Sequence, residues 1–229
     1  MKYPRTYHLP FSPGTTSDDR ILDDGWFENY KNREIVITEK LDGEGIHMTK
    51  YDCYARSDGA PTRSPWAKNI WEYDGLFSKV NPYISEDETI YGENLYGEHS
   101  IVYNNLPSYF HLFAVNNGIY WYGWDEVKDF AKIIGVQHVP ELWRGVVSEE
   151  EEFKKLVENY TSMPSVYGDT REGVVVRLTD SFPIDEFPNC VCKWVRPHHV
   201  QTDTHWIRNW KKAELIGYKS SENGNNSVQ

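Results

Sequence analysis

Short stretches of alternating apolar and polar residues recur along the chain, and this period of two is typical of half-buried β-strands. The clearest case lies between Ile35 and Arg56, where the runs IVITEK and GIHMTKYDCYAR flank the turn EKLDGEG. Further strands are predicted at 89–95 (TIYGENL), at 109–115 (YFHLFAV), in the hairpin segment IYWYG after Gly118, and at 172–178 and 189–195. The last two are rich in β-branched residues, which favours the centre of a sheet.

Apolar residues three and four positions apart predict four helices. They cover Trp66–Val80, a segment from Val127 that ends before Gly135, a segment behind a capping box of Ser148 and Glu151, and Val200–Lys212. Residues 1–34 contain three prolines and predict an extended arm, while the polar residues 220–229 predict a disordered tail. Strands and helices do not alternate regularly, so we expect one α+β domain over residues 1–219, with mainly antiparallel sheets flanked by helices.

Composition and charge narrow the class of protein. A chain of 229 residues is long enough to bury its own core as one large domain. Its net charge of −11 argues against a protein that coats nucleic acid, but it is compatible with an enzyme whose groove is locally basic. The sequence has 3 cysteines without a disulfide pattern, no apolar run long enough to span a bilayer and no signal-peptide core, which predicts a cytoplasmic protein without a membrane partner.

Lys40 is the centre of the candidate chemistry. It follows an alternating strand and precedes an acid and two glycines, a place where an unpaired ammonium group is costly to bury. Taken alone, it is explained equally well as a solvated lysine at a strand end. Glu93, Glu172 and Lys193 also lie on or beside predicted strands, and each alone has an ordinary interpretation as a surface, turn or edge-strand charge. Together they indicate a site, because charges that converge on a sheet need a ligand or one another.

Six segments, in order, resemble the motifs of the covalent nucleotidyltransferases, which comprise ATP-dependent RNA and DNA ligases and the guanylyltransferases that cap messenger RNA. They are EKLDGEG (39–45), YARSDG (54–59), YGENLYG (91–97), YFHLFAV (109–115), REGVVVR (171–177) and VCKWVR (191–196). The segments TYHLPFSPGTTSDDR and HHVQTDTHW also resemble short RNA ligases of phages and bacteria. The resemblance implies an ATP-grasp-like ligase domain. Too few residues follow Arg196 for an OB-fold, which favours a minimal RNA ligase.

The resemblance also implies roles for particular residues. Lys40 is the expected nucleophile that attacks the α-phosphate of ATP and forms a lysyl-AMP. Lys193, together with a bound divalent metal, is expected to lower the Lys40 pKa, and Lys193 is also expected to neutralise the phosphate. Glu172 is the expected ligand of Mg²⁺ or Mn²⁺. The other expected nucleotide contacts are Glu93 to the ribose, Arg56 to ribose or phosphate, Phe113 to the adenine ring and backbone groups beside Glu39 to the adenine edge. Asp42 is expected to orient the turn, with contact to the metal as the less favoured alternative.

The implied reaction joins RNA ends: AMP passes from Lys40 to a 5′-phosphate, and a 3′-hydroxyl then displaces it. The last motif departs from the family at Val195, where a second basic residue is common. Arg196 is the candidate for this second basic residue, although as the next residue of the strand it should point to the face opposite that of position 195. We expect a monomer, with room for a separate partner protein that binds RNA.

The segment from Trp194 to Lys212 interleaves aromatic and basic residues, as a surface for single-stranded nucleic acid does. Its candidate RNA contacts are Arg196, His198, His199, Arg208 and Lys211. For Trp206 and Trp210, packing on the sheet is the favoured interpretation.

Other interpretations stay open. A DNA ligase or a GTP-dependent capping enzyme would use the same lysine, and a non-catalytic module would only bind RNA ends. An aromatic-rich carbohydrate-binding or glycosidase domain would give Lys40 and Lys193 no role. Zinc is disfavoured, because the spacing of Cys190 and Cys192 with the nearby histidines fits no common site.

Overall fold

Two β-sheets form the centre of the fold and enclose the candidate site between them. The computed structural model describes residues 1–56, 61–62, 64–72, 75–197 and 210–216. Its strands are β1 (Tyr7–His8), β2 (Glu34–Lys40), β3 (Glu44–Met48), β4 (Cys53–Ala55), β5 (Thr89–Asn94), β6 (Phe110–Asn116), β7 (Tyr120–Trp121), β8 (Gln137–His138), β9 (Glu141–Val146), β10 (Gly173–Leu178), β11 (Phe182–Pro183) and β12 (Val191–Val195). Its helices are α1 (Lys68–Trp71), α2 (Leu76–Val80), α3 (Trp124–Ile133), α4 (Glu150–Ser162) and α5 (Phe187–Cys190). Short 3₁₀ turns cover Trp26–Asn29, Pro65–Ala67, Asn81–Tyr83 and Ile184–Glu186.

The strands form two sheets of mainly antiparallel pairs. The order in sheet A is β1-β12-β10-β2-β9, and the order in sheet B is β11-β7-β6-β5-β3-β4, with β8 beside β6. Only β1 beside β12 and β8 beside β6 run parallel among the described strand pairs. The predicted α+β fold with mainly antiparallel sheets is therefore confirmed.

The middle strand of sheet A brings the strands with candidate site residues into register. Val175 of β10 lies opposite Thr38 of β2 and Lys193 of β12, and Gly173 lies opposite Lys40. Because successive side chains of a strand point to opposite faces, Thr38, Lys40, Val175 and Lys193 share one face of sheet A. All four line the space between the sheets.

Two hydrophobic clusters hold the sheets and helices together. One packs Ile70 of α1 and Val127 of α3 with Met48 of sheet B. The other packs Phe153 of α4 with Ile37 of sheet A and with the neighbouring strands. Burying each such side chain contributes about 1.5–3 kcal/mol, so the clusters fix the positions of β2, β10 and β12.

The N-terminal arm has little regular structure, as predicted. Between residue 1 and the start of β2 at Glu34 it contains β1 and one 3₁₀ turn. The pairing of β1 with β12 nevertheless makes the arm an edge of sheet A.

The predicted helix Trp66–Val80 is interrupted. The structure has the 3₁₀ turn Pro65–Ala67 followed by α1 and α2, with Glu72 in an extended conformation after α1. Gly75 approaches the preceding turn so closely that a Cβ atom would lie 2.6 Å from the Glu72 carbonyl oxygen. A glycine at this position permits a tight turn that a continuous helix does not contain.

Other elements also differ from the sequence-based prediction. Helix α4 begins at Glu150 without a side-chain cap, so the predicted capping box of Ser148 and Glu151 is wrong; acids in its first turn are favoured by the helix dipole instead. Strand β12 begins at Val191 because the preceding residues form α5. Strands β8 and β9 were not predicted, since neither shows a regular apolar alternation.

Only the last three residues of the predicted helix Val200–Lys212 are described, and they are not helical. Lys212 forms a β-bridge instead, and the ring of Trp210 lies 5.9 Å from that of Tyr96. Trp210 therefore packs on the fold, which was the favoured interpretation. Trp206 and residues 220–229 lie outside the described residues.

Candidate active site

A cavity of about 270 Å³ lies between the two sheets. Sheet A lines it with Thr38, Lys40, Val175, Arg177 and Lys193, sheet B with His47, Tyr91, Glu93 and Phe113, and the arm with Tyr3, Pro4 and Thr6. Glu39 and Arg56 also line it. The fold thus brings most of the predicted nucleotide contacts to one place.

Lys40 and Glu172 form an ion pair at the cavity. Lys40 ends β2 and Glu172 directly precedes β10, so the antiparallel pairing of these strands sets them side by side. The Lys40 Nζ atom lies 2.7 Å from Oε1 and 2.6 Å from Oε2 of Glu172. The Lys40 side chain is 28 % exposed, against 6 % for Glu172, so the lysine stays accessible to a ligand in the cavity.

The acids around Lys40 keep it protonated. Burial lowers the pKa of Lys40, but the charges of Glu172 and Glu93 outweigh burial and raise it above its ordinary value. Burial raises the pKa of Glu172 while the Lys40 ammonium opposes that shift, and the contact of Nζ with both oxygens identifies a charged pair. The protein's own groups therefore do not lower the Lys40 pKa as expected, because the nearest partner of Lys40 is an acid.

Glu93 faces the same pair from sheet B. Its Oε1 atom accepts the Gly43 N–H at 3.0 Å, which joins β5 to the turn after Lys40. Burial raises the pKa of Glu93 to about 8, with Lys40 acting to lower it and Glu172 to raise it. A Cβ atom on Gly43 would lie 2.6 Å from the Asn94 carbonyl oxygen, so this close approach requires the first glycine of EKLDGEG.

Asp42 holds the shape of the turn. Its carboxylate accepts the Ile101 N–H at 2.9 Å, and its own N–H donates to the Tyr103 hydroxyl at 2.7 Å. Asp42 is not among the described residues that line the cavity. These contacts fit the predicted role of orienting the turn.

Glu39 makes its contacts within the fold. Its Oε2 atom accepts the Val166 N–H at 2.9 Å and lies 3.6 Å from Nη2 of Arg171, which itself donates to the Tyr160 carbonyl. The Glu39 N–H donates to the Pro140 carbonyl oxygen at 2.9 Å. A contact with the adenine edge beside Glu39 stays a prediction, and it requires a backbone group other than this N–H.

Lys193 and Arg56 bring positive charge to the cavity. Burial and the charges of Lys40 and Arg56 lower the pKa of Lys193, whereas Asp19 opposes them. The Lys193 Nζ atom lies 3.6 Å from Oδ1 of Asp19. Arg56 follows β4 and is fixed by its N–H, which donates to the Gly45 carbonyl oxygen at 3.0 Å. Two cations beside the cavity that Lys40 faces suit a phosphate ligand.

Phe113 lies at a β-bulge. Tyr91 pairs with Ala114 and Gly92 pairs with Leu112, which leaves Phe113 as the extra residue of β6. Bulges redirect side chains and are frequent beside active sites. The Phe113 side chain lines the cavity, where the sequence predicts an adenine contact.

Tyr3, from the arm, contacts the aromatic side of the cavity. Its ring centroid lies between 5.0 and 5.4 Å from four other rings, those of Tyr91, Phe113, Trp121 and Phe187. The sequence analysis gave no site role to Tyr3, Pro4 or Thr6. Tyr3 and Pro4 lie before the segment TYHLPFSPGTTSDDR, and that segment, which begins at Thr6, was given no site residue, because the arm reaches the cavity only through tertiary packing.

Two further residues line the cavity: Arg177, which was not predicted, and His47, for which an ordinary core or surface position was favoured over one that faces the nucleotide. Arg177 donates to the Phe113 carbonyl oxygen, and it lies within REGVVVR, so the motif contained a usable signal. The His47 ring stacks between Tyr54, at 5.1 Å, and Tyr91, at 5.8 Å. The alternation of β3 places His47 on the face of Gly45, which also lines the cavity.

The predicted RNA contacts that the structure describes lie outside the cavity lining. Arg196 donates its N–H to the Glu172 carbonyl oxygen at 3.0 Å. Lys211 is exposed, and its carbonyl oxygen accepts the Glu98 N–H at 2.8 Å. His198, His199 and Arg208 lie outside the described residues. RNA binding by these five residues stays a prediction.

The donor set around Lys40 fits a hard cation. Among the described residues no group of three or more His, Cys, Asp or Glu side chains is arranged to hold a metal. Carboxylate oxygens such as those of Glu172 suit Mg²⁺ or Mn²⁺, and Mg²⁺ is often held by one or two carboxylates together with substrate phosphates and water. A single protein ligand at Glu172 is consistent with such a site.

The motif-bearing strands match a known family. A family model described as RNA ligase matches residues 33–195. This chain belongs to the RNA ligase family. The matched range runs from β2 to β12 and includes Lys40, Glu93, Glu172 and Lys193. The resemblance of the six segments to this superfamily is thereby confirmed, and the arm that carries Tyr3 lies outside the match.

Solved ligase structures share the fold of this RNA ligase family member. A Naegleria gruberi RNA ligase variant with ATP and Mn has a TM-score of 0.52 at 14% identity, over 80% of this chain and 53% of that one. An archaeal ATP-dependent RNA ligase has a TM-score of 0.52 at 13% identity, over 85% and 48%. A candidate ATP-dependent DNA ligase of Aquifex aeolicus has a TM-score of 0.53 at 19% identity, over 85% and 50%. This chain therefore corresponds to about half the length of these ligases. No curated protein matches the sequence.

Proposed function

We propose that this protein is an ATP-dependent RNA ligase that joins a 5′-phosphate to a 3′-hydroxyl through a lysyl-AMP on Lys40. The observation that carries the proposal is the Lys40–Glu172 pair, with Nζ 2.6 Å from Oε2, beside a cavity lined by Lys193, Arg56 and Glu93. Membership of the RNA ligase family supports the reaction class. The ATP and Mn in the Naegleria gruberi structure support ATP as the nucleotide and a divalent metal as the cofactor.

In the first step the Lys40 Nζ atom attacks the α-phosphate of ATP. The nitrogen–phosphorus bond forms, the bond to the β-phosphate oxygen breaks, and pyrophosphate leaves. Attack requires the neutral amine, so Lys40 must separate from Glu172 and lose a proton first. Lys193 and Arg56 then offset the negative charge that develops on the phosphate oxygens.

The remaining residues hold the nucleotide and the metal. Glu172 would bind the metal. A cation at this position would compete with Lys40 for the carboxylate and would offset the negative charge of the phosphates. Phe113 would stack on the adenine, and Glu93 would accept a hydrogen bond from a ribose hydroxyl. Asp42 and the backbone beside Glu39 would shape the pocket edge.

Two later steps complete the ligation. AMP moves from Nζ to the 5′-phosphate of one RNA end: the nitrogen–phosphorus bond breaks and a 5′–5′ pyrophosphate linkage forms. The 3′-hydroxyl of the other end attacks the RNA phosphate of that linkage, a phosphodiester forms, and AMP leaves. RNA ends are thus the proposed partners, held by the basic residues that follow β12. A separate RNA-binding protein would extend that surface.

We propose a monomer that works in the cytoplasm of a bacterium or a phage-infected cell. The three cysteines, Cys53, Cys190 and Cys192, are buried and unpaired, as is usual in a reducing compartment. No helix in the described parts of the chain is both long and apolar enough to cross a bilayer.

Labelling with nucleotide tests the first step. We expect α-labelled ATP, with Mg²⁺ or Mn²⁺, to label the protein covalently, and α-labelled GTP not to do so. Lys40→Ala should abolish the adduct. The matched control is Lys50→Ala, because Lys50 donates to the Ile84 carbonyl oxygen away from the cavity and should leave labelling unchanged. An adduct of full yield on Lys40→Ala would overturn the proposed nucleophile, and labelling by GTP alone would point to a capping enzyme.

Ligation of matched substrates tests the choice of nucleic acid. A 5′-phosphorylated RNA and a DNA of the same sequence would be offered as single strands and as nicked duplexes. We expect RNA to be joined and DNA to be joined more slowly. Faster joining of DNA would favour the activity named for the Aquifex aeolicus neighbour. Labelling of the protein without joining of RNA or DNA would show a nucleotidyltransferase that is not a ligase for these substrates.

A further inference from the structure

The arm is fastened to β12 on both sides of Lys193. Leu9 donates its N–H to the Lys193 carbonyl oxygen at 2.8 Å, and Gly14 donates to the Val195 carbonyl oxygen at 2.9 Å. The Ser12 hydroxyl oxygen accepts the Val195 N–H at 3.0 Å. A Cβ atom on Gly14 would lie 2.7 Å from the Val195 carbonyl oxygen, so glycine is needed for this approach. The backbone of the arm is therefore fixed where Lys193 projects from the sheet.

Asp19 connects the arm to the Lys193 side chain. Its Oδ2 atom accepts the Thr16 N–H at 3.0 Å and the Thr16 hydroxyl at 2.9 Å. Its Oδ1 atom lies 3.3 Å from His8 Nε2 and 3.6 Å from Lys193 Nζ. One oxygen thus anchors the carboxylate in its own turn, and the other faces the lysine.

The charge of Asp19 is maintained by its surroundings. Burial acts to raise the pKa of Asp19, but the hydrogen bonds from Thr16 and the charges of Lys193 and His8 lower it to about 2. Lys193 needs such a partner, because burial, Lys40 and Arg56 all disfavour its ammonium form. Glu172 is the other acid that acts on Lys193, and it is already engaged by Lys40.

We propose that Asp19 is a positioning residue for the ligase: its carboxylate, fixed by Thr16 and His8, holds the Lys193 ammonium group at the cavity wall where the α-phosphate of ATP binds. This inference rests on the proposed function of Lys193 in lysyl-AMP formation. The N–O distance of 3.6 Å is long enough to leave the ammonium donors of Lys193 for a phosphate. Asp19 lies outside the residues 33–195 that match the RNA ligase family model, so the arm adds a feature that the match does not include.

The test measures single-turnover formation of lysyl-AMP from labelled ATP in the full chain. Asp19→Asn keeps the size and the Thr16 contacts but removes the charge, and we expect it to slow the step on the order of 10-fold, mainly in the rate at saturating ATP. Asp19→Glu should recover part of that loss. Asp18→Asn is the matched control. This neighbouring acid also accepts a hydrogen bond from the Thr16 hydroxyl, at 2.7 Å, but it is exposed and forms no ion pair with Lys193 among the described residues, so its effect should stay within about twofold.

A double-variant cycle shows whether Asp19 acts through Lys193. In a Lys193→Met background, Asp19→Asn should slow the step by less than about twofold, because the group it positions is gone. An equal slowing in both backgrounds would overturn the proposal, as would an Asp19→Asn rate equal to that of the unaltered protein. Equal losses of rate and of unfolding temperature in Asp19→Asn and Asp19→Glu would show a purely structural role.

A second measurement does not depend on ligase activity. Reductive ¹³C-methylation of the lysines allows the Lys193 pKa to be measured by NMR, with Lys193→Arg used to assign the signal. We expect Asp19→Asn to lower that pKa and Asp18→Asn to leave it in place. An unchanged Lys193 pKa would overturn the inference even if ATP labels Lys40. A shifted pKa in a protein that ATP does not label would preserve the Asp19–Lys193 contact and reject the proposed function.

Discussion

Two lysines face the same cavity and are held in opposite ways. Lys40 contacts both oxygens of Glu172, at 2.6 and 2.7 Å, whereas Lys193 lies 3.6 Å from a single oxygen of Asp19. The pKa of Lys40 is raised by its acids, and the pKa of Lys193 is lowered chiefly by burial. Glu172 comes from the sheet next to Lys40, and Asp19 comes from the arm.

The difference corresponds to the two tasks proposed for the lysines. The nucleophile is held in its unreactive, protonated form by a close acid, and that contact has to break before chemistry begins. The phosphate-binding lysine must stay charged and keep its donors available, and a more distant acid serves both needs. The distance between lysine and acid therefore distinguishes Lys40, the proposed nucleophile, from Lys193, the proposed phosphate-binding group.

Apart from loss of Lys40 itself, the largest effect on lysyl-AMP formation should come from removing Lys193. We expect Lys193→Met to slow lysyl-AMP formation by about 10²–10³-fold, because a charge that stabilises the transition state is lost. Lys193→Arg should not restore the full rate, since its planar fork differs from a point charge. Single-turnover labelling measures both variants, and Lys155→Met, on the exposed face of α4, is the control. A Lys193→Met rate equal to that of this control would remove the contrast between the two lysines.

Loss of the ring contacts that hold the arm should have the next largest effect, in this case on the stability of the fold. Tyr3→Ala removes a ring that contacts four others, and we expect the free energy of unfolding to fall by about 2–3 kcal/mol. Tyr3→Phe keeps the ring and should cost less than about 1 kcal/mol. Urea denaturation compares the two variants. Equal stabilities of Tyr3→Ala and Tyr3→Phe would mean that the arm is not fastened at this residue.

The environment of Lys40 can be tested through the protonation of Glu93, which faces the Lys40–Glu172 pair. Its pKa is about 8 in the fold, against 4.5 as its ordinary value, so the protonated form is favoured on folding. The stabilisation is complete below pH 4.5 and is lost as the pH rises through about 8. Glu93→Gln cannot lose a proton, so the stability of the unaltered protein relative to this variant should fall across that range, by at most about 1.4 kcal/mol per pH unit.

Thermal unfolding of both proteins at several pH values measures this fall. The difference between the two proteins cancels the titration of distant groups that they share, and the remaining pH dependence belongs to Glu93 together with Lys40 and Glu172, whose charges act on it. If the difference in stability between the two proteins stayed constant from pH 5 to pH 8, Glu93 would be ionised throughout this range. Its carboxylate would then be better solvated than its burial indicates.

The smallest effect is expected far from both lysines, at the exposed Lys211. If it contacts one phosphate of a single-stranded RNA, Lys211→Ala should reduce the slope of log affinity against log salt by about 0.7. Fluorescence anisotropy at several salt concentrations measures that slope, with Lys155→Ala as the control. Identical slopes for the two variants would remove Lys211 from the RNA surface.

The sequence was informative where strands end in charged residues and much less so in the arm. The strands that carry Lys40, Glu93 and Lys193 could be predicted because each has apolar neighbours at regular spacing between turn signals. Asp19 lies in the polar run TTSDDR, which has no period, and its contact with Lys193 depends on two segments far apart in the chain. Charge alone could not show that Glu172, rather than Lys193, is the immediate neighbour of Lys40, because that is a matter of strand register.

The parallel pairing of β1 with β12 has a consequence for how the protein is made. Residues 7–8 leave the ribosome long before residues 192–193, so the arm has no strand to join until nearly all of the matched range has been synthesised. Contacts between such distant segments form slowly, because closing the long intervening loop costs conformational entropy. The wall with Asp19 and Lys193 is therefore completed late, and translation that stops before β12 yields a chain without this part of the proposed ATP site.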